Sequence, residues 1–442
     1  MTDRQTPPTS VGGDGSWVRR DAARVWHGFT QMSVYGDNEP VIVERAEGRE
    51  LIDVDGNRYL DAVSSLWVNT LGHRVPELDR AVRDQLDRVA HSTMLGNGNR
   101  VVIELAEALA AVVPVDDPHF LFASDGAASV EQALRIAFQY WTNQGVTGRT
   151  SYLAFGDAYH GDTLGSVSVG DGGFGTDVLA PLRFPVMRAP SFADERSLST
   201  ATSMVYENAD RLAAVVMEPL VQTFAAGVRA APAEQFAALR EACARTGVLL
   251  ICDEVATGFG RTGTLFACEQ VGLRPDILCL GKGLTGGYLP MSATVANATV
   301  FEAFNGEDLS ERTLYHGHSF SGNALAAAVA LRHLSLFDEW QVLDNVAARS
   351  AQLAAAFAHV IAPLAAVVET RLVGLIGAVE LRVPDDDHVL PRRVAAAVVR
   401  QGVLTRSLGS LITIVPPLTV TAGEVERIVD ALAIAIVEVC GT

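Results

Sequence analysis

The sequence predicts an α/β fold in which a large domain, built on a mostly parallel, doubly wound sheet, carries a smaller α+β domain. Two patterns lead to that expectation. Between about residues 120 and 295, short β-rich runs alternate with helical segments, the order that a parallel sheet with crossover helices requires. Before and after that region the pattern changes, first to a β-hairpin and two amphipathic helices, later to Ala/Val/Leu-rich helices around a strand pair. The size fits, because 442 residues that are 49% hydrophobic and 19% charged suffice for two or three domains and are too apolar to stay disordered.

Residues 1–16 are polar, with Pro, Gly and Thr and no apolar core of a signal peptide, and read as a flexible tail extending to about residue 18. Residues 40–59 alternate apolar and polar side chains around Asp55-Gly56, which predicts strands at 41–43, 50–53 and 58–60. From Pro76 the period becomes helical, with Leu78, Val82, Leu86 and Val89 on one face, and residues 101–113 predict a second helix ended by Pro114. Strands follow at 120–123, 151–155, 213–217, 248–252, 277–280 and 292–295, all short and β-rich. Beyond about Leu334 come helix, a strand pair at 367–371 and 376–381, then residues 402–417 and a final amphipathic helix. The expected division is a tail (1–18), a first part of the small domain (19–74), a large domain (75–333) and the rest of the small domain (334–442). The longest apolar stretch, 353–368, is interrupted by His359 and Pro363 and falls short of a membrane span.

Charge narrows the partners. With 34 Lys+Arg against 52 Asp+Glu, the net charge of −18 repels nucleic-acid phosphates and anionic membranes, leaving small molecules and sister subunits. Five cysteines, odd in number and without Cys-x-x-Cys spacing, read as reduced core thiols of a cytoplasmic protein. Among the cations Arg occurs 33 times and Lys once, at Lys282. Arg stays charged, whereas an amine in an apolar pocket can lose its proton and attack a carbonyl, so any amine chemistry falls to Lys282.

Gly258-Phe259-Gly260-Arg261-Thr262-Gly263 fits the G-x-G-x-x-G pattern of dinucleotide sites, but the preceding strand ends in Asp253-Glu254. Two carboxylates there oppose a pyrophosphate. They suit a cationic heterocycle instead: a pyridoxal ring withdraws electrons well only with its ring nitrogen protonated, and Asp253 is placed to hold that proton. Lys282 follows 29 residues later, again straight after a strand and between Gly281 and Gly283. Ser124-Asp125-Gly126-Ala127-Ala128-Ser129 offers a phosphate cradle before a helix that begins near Val130. His316 and His318 lack further ligands at a metal-site spacing, so no metal is expected.

Together these residues resemble the class III (ω-amino) aminotransferases of fold type I, which use pyridoxal 5′-phosphate. The run 250–263 carries the likeness, followed by Pro275-Asp276-Ile277 and Gly281-Lys282-Gly283. Residues 26–32, 64–67, 159–163, 316–319 and 405–409 are similar to the branch that transaminates 8-amino-7-oxononanoate to 7,8-diaminononanoate in biotin biosynthesis. The resemblance implies that Lys282 bonds the cofactor and shuttles the proton, Asp253 pairs with the ring nitrogen, and Tyr159 and Val255 cover its two faces. It also implies that the Gly126 and Ala127 amides bind the phosphate, with His318 and Ser319 reaching it from the partner subunit of a homodimer. Arg406 would grip the substrate carboxylate, and Phe29, Leu66, Trp67, Tyr159 and Gly317 would line the substrate's path. Ala127 stands where many relatives have Ser, and Gly28 where Pro is usual. Phe29 and Leu66 replace a Tyr and a Trp of members that use S-adenosylmethionine, and His318 replaces their Pro, a pattern nearer to members that take the amino group from L-lysine. The alternatives are a broad ω-amino-acid or diamine:pyruvate aminotransferase, a nicotinamide dehydrogenase using residues 258–263, and a non-catalytic binding protein.

Overall fold

The computed structural model describes residues 16–171, 176–223 and 225–441. At its centre stands a seven-stranded sheet in the order His119–Ala123, Ser292–Ala296, Ile277–Leu280, Leu249–Asp253, Leu212–Met217, Ser151–Phe155, Met187–Ala189. Only Ser292–Ala296 runs against the others. Leu212–Met217, Leu249–Asp253 and Ile277–Leu280 are buried along their whole length, as their unbroken apolar runs require of strands covered on both faces. All six parallel strands therefore end at one edge, where a doubly wound sheet collects its ligand.

A second, four-stranded antiparallel sheet is formed by Val367–Val373, Ile376–Leu381, Leu411–Ile414 and Arg406–Leu408. A third joins the two chain ends: Val43–Glu47, Glu50–Asp53 and Arg58–Asp61 form a meander, and Val403–Leu404 pairs in parallel with its last strand. The N-terminal hairpin thus pairs with the C-terminal region, as expected. The Ala422–Cys440 helix packs behind, started by Thr421 and Glu424 in a reciprocal capping box.

Several elements differ from expectation. The first strand begins at Val43 instead of residue 41, because pairing shifts register between Val43 and Arg45 and Ile42 gives only its carbonyl to Val54. The Pro76–Leu86 helix stops at Leu86, so Leu86 and Val89 are exposed while Leu78 is buried. The next helix, capped by Asn99, ends at Ala110, three residues before Val113, whose αR conformation Pro114 disfavours. Met187–Ala189, a three-residue edge strand, carries too short a pattern to read. The tail expected over residues 1–18 lies outside the described residues up to residue 15, and Trp17–Ala22 forms a short helix. No described helix is long and apolar enough to cross a membrane.

Candidate active site

Register explains why Asp253 and Lys282 meet. Leu249–Asp253 and Ile277–Leu280 are parallel neighbours with Asp253 opposite Cys279, so Lys282 emerges three residues beyond that pair, at the same edge. Strand His119–Ala123 delivers the third component there. Its helix, Gly126–Asn143, begins at Gly126, four residues before the expected Val130, because the Asp125 side chain caps it by accepting the Ala128 amide. The Gly126 and Ala127 amides consequently belong to a first helical turn, where they lack intrahelical acceptors.

These residues line one cavity of about 420 Å³, with Tyr159, His160, Asp162, Thr163, Glu218, Thr223 and Val255 completing its wall. Lys282 has φ of 39°, in the left-handed region that L residues occupy only under constraint. Burial pulls its amine below the ordinary lysine range, opposed by the nearby Asp253 and Glu218 carboxylates, so a neutral amine is accessible. Its Nζ lies 5.3 Å from the centre of the Trp67 ring. Asp253 is buried, with Oδ1 accepting the Val255 amide (3.0 Å) and Oδ2 at 2.8 Å from His160 Nδ1. Tyr159 donates to Asp162 (3.0 Å), and burial pushes its hydroxyl strongly up, so it stays protonated. Val255 presses on the cradle: a carbon added at Gly126 would lie 2.6 Å from Val255 Cγ1.

Gly126, Ala127, Tyr159, Asp253, Val255 and Lys282 are thus brought together as expected from the sequence. Trp67 is buried beside Lys282, away from that cavity wall. Arg406 is half-buried and close enough to Tyr159 to counter part of the upward push on its hydroxyl. Phe29 and Leu66 are exposed, at 57% and 40%. Gly317, His318 and Ser319 lie in a separate segment, where Ser319 accepts a hydrogen bond from His91 with its carbonyl and His318 Nε2 is buried without a hydrogen-bond partner. Among the described residues, no group of three or more His, Cys, Asp or Glu is placed to hold a metal ion.

His160, within the 159–163 run, and Glu218 were given no role from the sequence. His160 holds Asp253, and its neighbour Tyr159 in the Tyr-His-Gly run was the available signal. Glu218 is buried, its Oε1 accepting the Thr223 amide (2.9 Å) and hydroxyl (2.5 Å), while Oε2 has no partner. A carboxylate directly after the fully buried strand Leu212–Met217 repeats the placement of Asp253, and that repetition could have found it. Residues 258–263, the dinucleotide-like run, instead tie distant segments together: the Arg261 guanidinium donates to the Pro416 carbonyl (2.5 Å) and the Ser64 hydroxyl (3.4 Å).

A flat cationic ring carrying a phosphate fits this cavity. The helix-end amides are placed to meet an anion, buried Asp253 would face the ring nitrogen, and Lys282 offers an amine on the same wall. Fold and site together define a transaminase of fold type I. The profile described as "Aminotransferase class-III" matches residues 31–436. The adenosylmethionine-8-amino-7-oxononanoate aminotransferase of Nitratidesulfovibrio vulgaris is 43% identical, over 98% of this chain and 84% of its own. Its namesake from Aquifex aeolicus is 38% identical over 95% and 96%. The crystal structure of the enzyme so named from Methanocaldococcus jannaschii superposes with a TM-score of 0.91 at 36% identity, covering 95% of this chain and 98% of that one. An amine transaminase from an uncultivated Pseudomonas species, solved in a PLP-bound form, gives 0.88 at 33% identity over 94% and 99%. The chain belongs to the class III aminotransferases.

Proposed function

We propose that this aminotransferase binds pyridoxal 5′-phosphate and converts 8-amino-7-oxononanoate to 7,8-diaminononanoate, with L-lysine or S-adenosylmethionine as amino donor. The cofactor reading is carried by the placement of Lys282, Asp253 and the Gly126 and Ala127 amides on one cavity. The substrate reading is supported by full-length relatives that bear the 8-amino-7-oxononanoate name. When bound, pyridoxal phosphate supplies an aldehyde that accepts the amino group and a ring that draws electrons from the bond being broken. The chain's own residues do the rest. Lys282 Nζ, kept accessible in its neutral form by burial, takes up the substrate's proton and returns it. Asp253, fixed by His160 and the Val255 amide, keeps a positive charge facing it stable. The amides of Gly126 and Ala127 bind the phosphate, and Tyr159 and Val255 confine the ring. Arg406 takes the substrate carboxylate in a bidentate grip.

Phe29, Leu66 and Gly317 border the path of the aliphatic chain beside Trp67. Phe29 and Leu66 lack the hydroxyl and the indole of members that use S-adenosylmethionine, which favours L-lysine, whereas the names of the relatives favour S-adenosylmethionine. In this reading the enzyme is a cytoplasmic homodimer whose partner brings the 317–319 segment, with His318 and Ser319, to the phosphate. That assignment accords with the segment's absence from the wall of its own cavity.

A half-reaction tests the proposal. The loaded enzyme is mixed separately with each donor while the visible absorbance of the cofactor is followed. Conversion by one donor, reversed by 8-amino-7-oxononanoate, is the expected result. Conversion by short ω-amino acids alone, with no response to 8-amino-7-oxononanoate, assigns the chain to the ω-transaminases whose structures it also matches.

A further inference from the structure

Behind the amine-bearing turn lies a buried polar pair that no step above uses. His333, on the Ala324–Glu339 helix, is fully enclosed, and its Nε2 lies 2.6 Å from Thr70 Oγ1, 263 residues earlier in the chain. Thr70 is anchored in turn, its carbonyl accepting the Leu418 amide (2.6 Å). The turn Lys282–Thr285 and the Gly286 that follows it lie against both residues. A carbon added at Gly283 would lie 3.2 Å from the Thr70 methyl and 3.0 Å from Phe259 Cβ, and one at Gly286 would lie 2.9 Å from His333 Cδ2. Gly283 and Gly286 are therefore pressed against this pair.

An imidazole and a hydroxyl in apolar surroundings are costly unless each satisfies the other. The Phe337 ring meets His333 edge-on at 5.1 Å, and Phe259 lies 6.2 Å away. Burial drives the imidazole down to about 3, the Leu284 carbonyl opposing, so the ring is neutral wherever the enzyme works and can share one proton with Thr70. Apolar side chains could fill the same space. They would not fix the Thr70 rotamer, which the hydrogen bond does, and that rotamer turns the methyl onto Gly283. Lys282, at φ 39°, holds a conformation that persists only where its surroundings over-determine it.

We propose that Thr70 and His333 form a bracket that keeps Lys282 in its left-handed conformation and so directs the amine into the cavity. Both are positioning residues acting through Lys282, and the inference rests on the reading of Lys282 as the reacting amine.

The test uses the full chain loaded with pyridoxal phosphate. Thr70→Val keeps shape and methyl but lacks the hydroxyl; His333→Leu removes the ring, and His333→Gln retains a side-chain hydrogen bond to Thr70. Three quantities are read: the pH midpoint of the cofactor's visible absorbance, the split between kcat and KM, and the ε-carbon resonance of lysine in [13C]lysine-labelled enzyme. Lys282 is the only lysine in the sequence, so that resonance is unambiguous. In Thr70→Val and His333→Leu the midpoint is expected to move by about one pH unit. Turnover should fall about 10- to 100-fold with KM little changed, the scale of a misplaced reacting group, and the resonance should broaden or split. His333→Gln restores most of each. If His333→Leu does not fold, Thr70→Val decides alone. A folded Thr70→Val with the native midpoint and a single native resonance overturns the bracket, whatever its turnover. Lys282→Ala is the separate control: full turnover in that variant sinks the assignment of the amine, while the midpoint in Thr70→Val judges the bracket.

Discussion

Glu218 shows how a single buried group sets a pH dependence. Burial raises its carboxyl above the ordinary range, His160 and the Thr223 hydrogen bonds pulling the other way. As pH rises past about 4.5, the unfolded carboxyl ionises while the folded one keeps its proton, so the unfolded state binds fewer protons and stability declines up to the raised value. Glu218→Gln, which never ionises, escapes that decline. Its stability relative to the native chain, measured by urea unfolding of cofactor-free protein, is expected to rise between pH 4.5 and pH 8. A difference that stays flat across that range would mean that the buried carboxyl ionises normally. Legibility at this scale followed chemistry that announces itself locally. Lys282 stood out as the lone lysine and Asp253 as a carboxylate ending an apolar strand. His160 and Glu218 had weaker local signals and take their roles from partners 93 and 5 residues away, whereas the Thr70–His333 pair, 263 residues apart, is set by packing alone.

At the scale of elements, most strands were legible, Glu50–Asp53, Ser151–Phe155, Ile277–Leu280 and Ile376–Leu381 to the residue. Helix ends were less legible, because capping depends on side-chain geometry as much as on composition. Asp125 starts its helix four residues early by accepting the Ala128 amide, and this moves Gly126 and Ala127 from a loop into a first turn. The Ala422–Cys440 helix offers a direct measure of such a cap. Thr421 Oγ1 accepts the Glu424 amide (3.3 Å), and the Glu424 carboxylate returns to the Thr421 amide (2.8 Å) while also meeting Arg49. Thr421→Ala is expected to lower stability by about 1 kcal/mol. Because Thr421 is exposed and outside the cavity wall, turnover should be unchanged, and a urea titration beside a steady-state assay checks both halves.

At the scale of the whole molecule, the change of period on either side of the central sheet was visible, but the joint between that sheet's region and the four-stranded antiparallel sheet was not. It is built from residues 258–263, whose glycines suggested a nucleotide loop, and from the hairpin linking Val367–Val373 to Ile376–Leu381. Gly374 in that hairpin has φ of +59°, and the Leu375 amide donates to the Arg261 carbonyl (3.0 Å). A carbon added at Gly374 would overlap the Arg261 carbonyl oxygen and lie 2.5 Å from the Thr262 carbonyl carbon. These are backbone atoms, so no side chain can swing aside. Gly409, at φ +57°, has nothing within 4 Å of such a carbon. The two glycines thus separate backbone strain from domain contact. Gly409→Ala should cost about 1 kcal/mol, the strain of a left-handed alanine. Gly374→Ala should cost that and roughly 2 kcal/mol more for the overlap. Arg261, whose guanidinium ties Pro416 and Ser64 to the same loop, would move with Gly374, so turnover should fall in that variant and hold in Gly409→Ala. Urea midpoints and kcat for the pair decide it: equal losses in the two variants would show that the joint yields freely and that residues 258–263 do not set the domain arrangement.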